Sequence, residues 1–227
     1  MTTDKGPMPQ ITHLIYDFDG LLLDTEPIYC RVNELIAQRY GKVFTRSHHR
    51  KIMGRQALDC AQILVDELAL PLTAEAHLQA RNQLIFERLP AAVPMPGAME
   101  ITHRFYELGV KQAIATSSAD ITFNLKTQNH QDWLAIFDAI VLGNDPEVRR
   151  SKPAPDSFLV AARRLGAQPS ACLVFEDSPA GVKAAKVAGM QVVAVPPDYM
   201  DVGLYAAADR VLGKLAEFEP KDWGLPG

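Results

Sequence analysis

Apolar and polar positions along the chain follow two different rhythms. Short, nearly continuous apolar runs predict buried strands at Thr12–Phe18, Lys111–Thr116, Ala139–Leu142, Cys172–Glu176 and Gln191–Val195. Between the later runs, apolar residues recur with a helical period, predicting helices at Ala98–Leu108, Asp120–Thr127, Pro155–Leu165 and Pro179–Ala188. Gly109, Gly166 and Gly189 stand just past three of these segments, where a left-handed residue commonly ends a helix. Short buried strands separated by helices of about ten residues predict right-handed βαβ units. The expected fold class is α/β, with a Rossmann-like parallel sheet.

Residues 27–92 break this alternation. Val32, Leu35 and Ile36, then Leu58, Ala61, Ile63, Leu64 and Leu68, keep helical spacing, and strand signals are few. Pro27 suits the first turn of a helix, and Gly41, Gly54 and Pro71 punctuate the stretch beyond it. An all-helical domain of roughly four helices is therefore expected over 27–92, inserted into an α/β core of 10–26 and 93–227. Pro94-Met-Pro96-Gly97 reads as the hinge back into the core. Residues 1–10 read as a mobile polar leader, and the tail after Pro196 is less regular.

Composition narrows the class. With 227 residues, 48% hydrophobic and 22% charged, the chain is ordinary globular material. A net charge of −4 gives no reason to expect nucleic acid or an anionic membrane as partner. No apolar run reaches membrane-spanning length, and no apolar signal segment opens the chain. Cys30, Cys60 and Cys172 show no metal-ligand or CxxC spacing, and the sparse odd count reads as reduced thiols in a cytoplasmic protein. The pattern is silent on oligomeric state.

In open α/β sheets ligands bind beyond the carboxyl ends of the strands, and polar chemistry collects there. Asp17 and Asp19 close the first run, on one face because strand residues alternate. Such a pair calls for a divalent metal, a proton shuttle or both; the bland alternative is an Asp-Gly turn. Thr116-Ser117-Ser118 follow the second run, Lys152-Pro153 the third after a loop, and Glu176-Asp177 the fourth. Each has a physical task if the ligand is a small phosphomonoester with Mg²⁺. Thr116 and Ser117 offer donors at a helix N-terminus, although Ser118 reads equally well as a plain N-cap. Lys152 would neutralise phosphate oxygens and an attacking carboxylate. Asp177, ending a buried strand, needs a partner such as a hard cation, with Glu176 sharing that work through water or bonding backbone. Asp17 would attack phosphorus, and Asp19 would protonate the leaving alkoxide and then deprotonate water.

Asp17-x-Asp19-Gly20, Thr116, Lys152-Pro153 and Glu176-Asp177 resemble, in order and spacing, the four signature motifs of the haloacid dehalogenase superfamily. The resemblance implies a phosphatase with a helical cap inserted after the first motif. It implies Asp17 as nucleophile, Asp19 as general acid/base, and Thr116 and Lys152 as phosphate holders. It also implies Mg²⁺ on the Asp17 side chain, the Asp19 backbone carbonyl and Asp177. An acid at Asp19 sets the chain apart from dehalogenases and P-type ATPases. Tyr29 stands where β-phosphoglucomutases carry histidine, which weighs against mutase or phosphotransferase chemistry. Gly20-Leu-Leu-Leu-Asp24-Thr-Glu26, Gly143-Asn-Asp145-Pro-Glu-Val148 and Leu225-Pro226 look like the subgroup containing pseudouridine-5′-phosphatase. The expected substrate is pseudouridine 5′-phosphate or a related nucleotide, the alternative a sugar phosphate. A rival from another class is a receiver-like phospho-acceptor module, but receivers place the acceptor on a later strand than their acid pair. A degenerate binding scaffold is disfavoured because all four motifs are intact.

His48 and His49 read as surface, since adjacent histidines rarely chelate one ion. Arg55 is a candidate substrate contact from a loop of the insertion. Trp133 and Trp223 read as packing residues.

Overall fold

A computed structural model describes residues 10–52 and 57–227. The expected leader and Arg55 lie outside the described residues, apart from Gln10. Two compact units divide the chain: residues 1–23, 94–123 and 130–227 in one, residues 24–93 and 124–129 in the other.

The first unit carries a six-stranded sheet. Its strands are β1 (His13–Tyr16), β4 (Lys111–Ala115), β5 (Ala139–Val141), β6 (Cys172–Glu176), β7 (Gln191–Ala194) and β8 (Arg210–Val211). They lie in the order β5-β4-β1-β6-β7-β8, and every neighbouring pair is parallel. This is the α/β parallel sheet that the apolar runs predict. Only β8 is new: two residues, with Val193 and Ala194 opposite Arg210 and Val211, are too short to show a period. The crossover helices are α5 (Ala98–Glu107), α6 (Asp120–Thr127), α7 (Gln131–Leu134), α8 (Asp156–Leu165) and α9 (Pro179–Val187). On one side of the sheet, Ile15, Ala113, Val141, Val174 and Val192 pack with Phe158, Ala161, Val182 and Ala185 of α8 and α9. Tyr16, on the opposite pleat from Ile15, stacks on Phe175 at 5.0 Å. Its hydroxyl donates to Gln112 Oε1 at 3.0 Å, which satisfies a fully buried phenol.

After β1 the chain turns at Gly20, whose φ is +82°. It continues through β2 (Leu23–Asp24), which pairs with β3 (Val93–Pro94). Between them run α1 (Glu26–Arg39), α2 (Arg46–Ile52), α3 (Ala57–Glu67) and α4 (Ala74–Arg88). Their apolar stripes meet in a core of Val32, Ile36, Leu64, Val65, Leu68, Leu84 and Ile85. Truncating Leu64 to Ala there should cost about 2–5 kcal/mol. Pro27 begins α1, and the Thr73 hydroxyl caps α4 by accepting from the Ala76 N–H at 3.2 Å. The second half of α6, with residues 124–129, clusters with this helical unit rather than with the sheet.

Candidate active site

The order of the strands decides where chemistry can collect. From β1 the later chain first builds β4 and β5 on one side, then β6, β7 and β8 on the other. Loops leaving β1, β4 and β6 therefore diverge, opening a crevice at the carboxyl ends of the central strands. The Asp17 N–H donates to Phe175 O at 2.9 Å and the Thr116 N–H to Val141 O at 3.0 Å. Sheet bonding thus extends to the residues that bear the polar groups.

Lys152 is the centre of this edge. Its Nζ donates to Asp17 Oδ1 at 2.5 Å, Glu176 Oε1 at 2.5 Å and Ala115 O at 3.0 Å, with its side chain 6% exposed. Burial alone would lower its pKa, but Asp17 and Glu176 more than reverse that and leave it raised. Glu176 is fully buried. Its second oxygen accepts from the Ser178 N–H at 3.0 Å and the Ser178 hydroxyl at 2.9 Å. Ser178 Oγ in turn accepts from Gly181 N–H at 3.0 Å and caps α9. Gly181 is required because a Cβ there would run into the Glu176 carboxylate. Glu176 therefore bonds both Lys152 and the backbone and hydroxyl of Ser178.

Asp17 and Asp177 carry more negative charge than one lysine offsets. Burial first, then Glu176 and Asp19 against the opposing Lys152, lift Asp17 to about 7. Burial, then Asp17 and Glu176, hold Asp177 well above the usual carboxylate range. Oxygen atoms of Asp17, Glu176 and Asp177 all lie within 4.8 Å of one another. Hard oxygen donors with net charge left over fit a divalent cation such as Mg²⁺. Gly20 lets the chain pass against this cluster, since a Cβ there would strike Asp177 Oδ2. The Tyr205 hydroxyl, on a fully buried side chain, donates to the Asp177 backbone carbonyl at 2.6 Å.

Asp19, whose charge also bears on Asp17, bonds to the turn after β4. Its Oδ2 accepts from Ser118 Oγ at 2.8 Å and Thr116 Oγ1 at 3.2 Å. The Ser118 N–H donates to Thr116 Oγ1 at 3.0 Å, which folds the turn after β4 around the acid. Asp17, Lys152, Glu176 and Asp177 thus form one contact group, and Asp19, Thr116 and Ser118 a second beside it. Ser117 stands exposed on the same turn. Its carbonyl lies so near Gly143 that a side chain at 143 would collide with it. Asp145 belongs to neither group: it pairs with Arg164 at 2.7 Å.

Two residues carry more than the sequence suggests. Ser118 reads as an N-cap, yet its hydroxyl bonds Asp19. Tyr205 reads as one apolar residue of an irregular tail, yet it fixes the strand end bearing Asp177. A tyrosine bound to a backbone carbonyl leaves no periodic or motif signal, whereas Ser118 could have been found from its place two residues after Thr116. One expectation is corrected. The His49 side chain is 13% exposed and enclosed between Cys30 and Glu26, so it is not a surface residue. Trp133 does pack: it is buried and its Nε1 donates to Thr102 Oγ1 at 2.8 Å.

An α/β protein with acids and a lysine at the switch point of a parallel sheet has the layout of a hydrolytic or phosphoryl-transfer enzyme. The family model for haloacid dehalogenase-like hydrolases matches residues 14–195, and the chain belongs to that family. It is 43% identical over 229 residues to "(DL)-glycerol-3-phosphatase 1, mitochondrial" of Arabidopsis thaliana, covering 99% of this chain and 76% of that one. It is 42% identical over 222 residues to the "Probable pseudouridine-5'-phosphatase" of Drosophila melanogaster, covering 96% and 95%. Among solved structures, the "putative beta-phosphoglucomutase" of Thermotoga maritima superposes with a TM-score of 0.72 at 30% identity, covering 89% and 94%.

Proposed function

We propose that this phosphomonoesterase of the haloacid dehalogenase-like family works through a phosphorylated Asp17. The carrying observation is the Asp17 carboxylate held against Lys152 at the sheet's switch point, with Asp19 two residues on. In the first step an Asp17 oxygen bonds to phosphorus as the ester P–O bond breaks. Asp19 gives its proton to the departing alkoxide, which leaves as an alcohol. In the second step Asp19 takes a proton from water, whose oxygen attacks phosphorus, and inorganic phosphate leaves with Asp17 regenerated. Lys152, Thr116 and Ser117 would hold the phosphate oxygens, while Glu176 keeps Lys152 in place. Mg²⁺ on Asp17, Asp177 and the Asp19 carbonyl would supply charge neutralisation for the phosphoryl group when bound.

The substrate we propose is a small phosphomonoester of a hydroxylated carbon skeleton. Two relatives of nearly equal identity support that class, one named for glycerol 3-phosphate and one for pseudouridine 5′-phosphate. A mutase reading gains nothing from Tyr29, whose ring lies under the Arg81 guanidinium at 5.4 Å. Three cysteines, none of them in a disulfide, fit a reducing compartment, which supports a cytoplasmic reading, although one relative carries a mitochondrial name. Among the described residues no helix is long and apolar enough to cross a membrane. The test is turnover of glycerol 3-phosphate, pseudouridine 5′-phosphate and hexose phosphates, with Mg²⁺ present or chelated. Chelation should abolish turnover, and beryllium fluoride should form an adduct on Asp17; an adduct elsewhere would overturn the assignment.

A further inference from the structure

The helical unit holds a second group of metal-ligating side chains. Glu26 and Cys30 are one turn apart on α1 and so share a face. His49 of α2 lies against that face. Its Nδ1 is 3.3 Å from Cys30 Sγ and its Nε2 is 3.4 Å from Glu26 Oε1. One ligand atom from each of the three lies within 4.8 Å of the others. All three are partly buried, with side-chain exposures of 13% for His49 and 32% for Glu26. Burial, then Glu26 and Glu34, raise the Cys30 thiol to about 11. The thiol is therefore protonated at neutral pH, and the imidazole lies between it and the carboxylate.

We propose that Glu26, Cys30 and His49 bind a borderline divalent transition-metal ion of the Zn²⁺ class. Sulfur, imidazole and carboxylate together select such an ion over Mg²⁺, which takes oxygen ligands. Around a tetrahedral ion, ligand atoms stand roughly 3.3–3.7 Å apart. Both contacts to His49 already have that size. They use opposite ring nitrogens, however, and an ion takes only one. One nitrogen would face the ion, and the sulfur and carboxylate, already within 4.8 Å of each other, would draw in around it. As the metal–sulfur bond forms, the thiol proton leaves to buffer; no oxidant or reductant is involved. Water fills the remaining position. The ion would tie α2 to α1 independently of the carboxylate cluster on the sheet.

Co²⁺ titration of the metal-stripped full chain, in buffer containing Mg²⁺, tests this. Wild type should develop a thiolate-to-cobalt charge-transfer band at one equivalent, and Zn²⁺ should displace it. Cys30→Ser and His49→Gln should each lose the band while keeping wild-type circular dichroism. Glu26→Gln should weaken Zn²⁺ binding by at least about tenfold, since even an outer-shell partner is worth that much. Asp177→Asn should leave the band intact, which separates this site from the carboxylates at the strand ends. Absence of the band in wild type, or its survival in Cys30→Ser, overturns the proposal. Should either variant fail to fold, wild type alone decides. Saturating Zn²⁺ should slow alkylation of Cys30 at least tenfold relative to Cys60, and equal rates would reject the site.

Discussion

The two units treat buried charge in opposite ways. The sheet unit gathers carboxylates around one lysine and holds them partly by backbone, at the ends of β1 and β6 and through the cap of α9. The helical unit buries bases instead. His77 is 1% exposed with Nδ1 lacking a hydrogen-bond partner, and Arg81 lies over the Tyr29 ring. Burial is the leading cause in both regions, raising Asp17 and Asp177 and lowering His77. What differs is the neighbourhood. Several acids converging on one lysine call for a cation, whereas the single buried His77, with the Arg81 charge near it, simply stays neutral.

The most severe break in this contrast is Asp17→Asn. It leaves the cluster's shape intact and removes the proposed nucleophile, so turnover of every substrate should fall at least ~10³-fold. Near-normal turnover in that variant would transfer the nucleophile's role to another side chain. Next come paired glycine substitutions, one in each unit. Gly181→Ala drives a methyl into the Glu176 carboxylate and should cost about 2–4 kcal/mol, with turnover falling too. Gly41→Ala meets nothing within 4 Å and bears only its φ of +66°, a cost of about 1–2 kcal/mol. Chemical denaturation of both variants checks the order; equal losses would mean that Glu176 is not rigidly held.

Much of this arrangement is readable from residues. Strand ends are legible because buried parallel strands are short apolar runs, and Asp17, Thr116 and Glu176 each terminate one. Lys152 needs the motif order, since a loop lysine has no period of its own. Three features are illegible for distinct reasons. β8 is two residues long. Residues 124–129 continue a helix that begins in the other unit, and no composition shift marks the passage. His49 reads the same as its neighbour His48, although consecutive helical residues point about 100° apart. In the structure His48 accepts from Thr45 N–H at 3.0 Å while His49 meets Cys30.

Opposite pKa shifts give the two units opposite pH slopes. Unfolded Asp17 sheds its proton above 3.8, whereas the folded metal-free carboxyl keeps it to about 7. Raising the pH through that window favours the unfolded chain, so the chelated sheet unit loses stability from about pH 4 to 7. Mg²⁺ should oppose this loss, giving a larger gain in Tm at pH 8 than at pH 5. His77 behaves inversely. Unfolded, it binds a proton below 6.5; folded, it refuses one until about 4 because of burial and then Arg81. Lowering the pH through that window favours unfolding. Melts of wild type and His77→Gln in chelator separate the two, since the variant should keep only the slope that rises toward acid. Identical profiles would remove His77 as a source of acid sensitivity.

The smallest expected effect tests whether backbone anchoring matters to the sheet site at all. Tyr205→Phe keeps the buried ring and loses one bond, to the Asp177 carbonyl, for about 1 kcal/mol. Tyr16→Phe also removes one buried hydroxyl bond, to Gln112, at a similar cost. The two variants should therefore melt alike. They should differ in metal dependence, because only Tyr205 holds a residue assigned to Mg²⁺. Half-activation by Mg²⁺ should need a few-fold more metal in Tyr205→Phe, as expected for a partner lying outside the ligands themselves, and should not change in Tyr16→Phe. Matching Mg²⁺ curves for the two would show that the strand end holds Asp177 without help, and Tyr205 would then be a packing residue whose hydroxyl merely found the nearest acceptor.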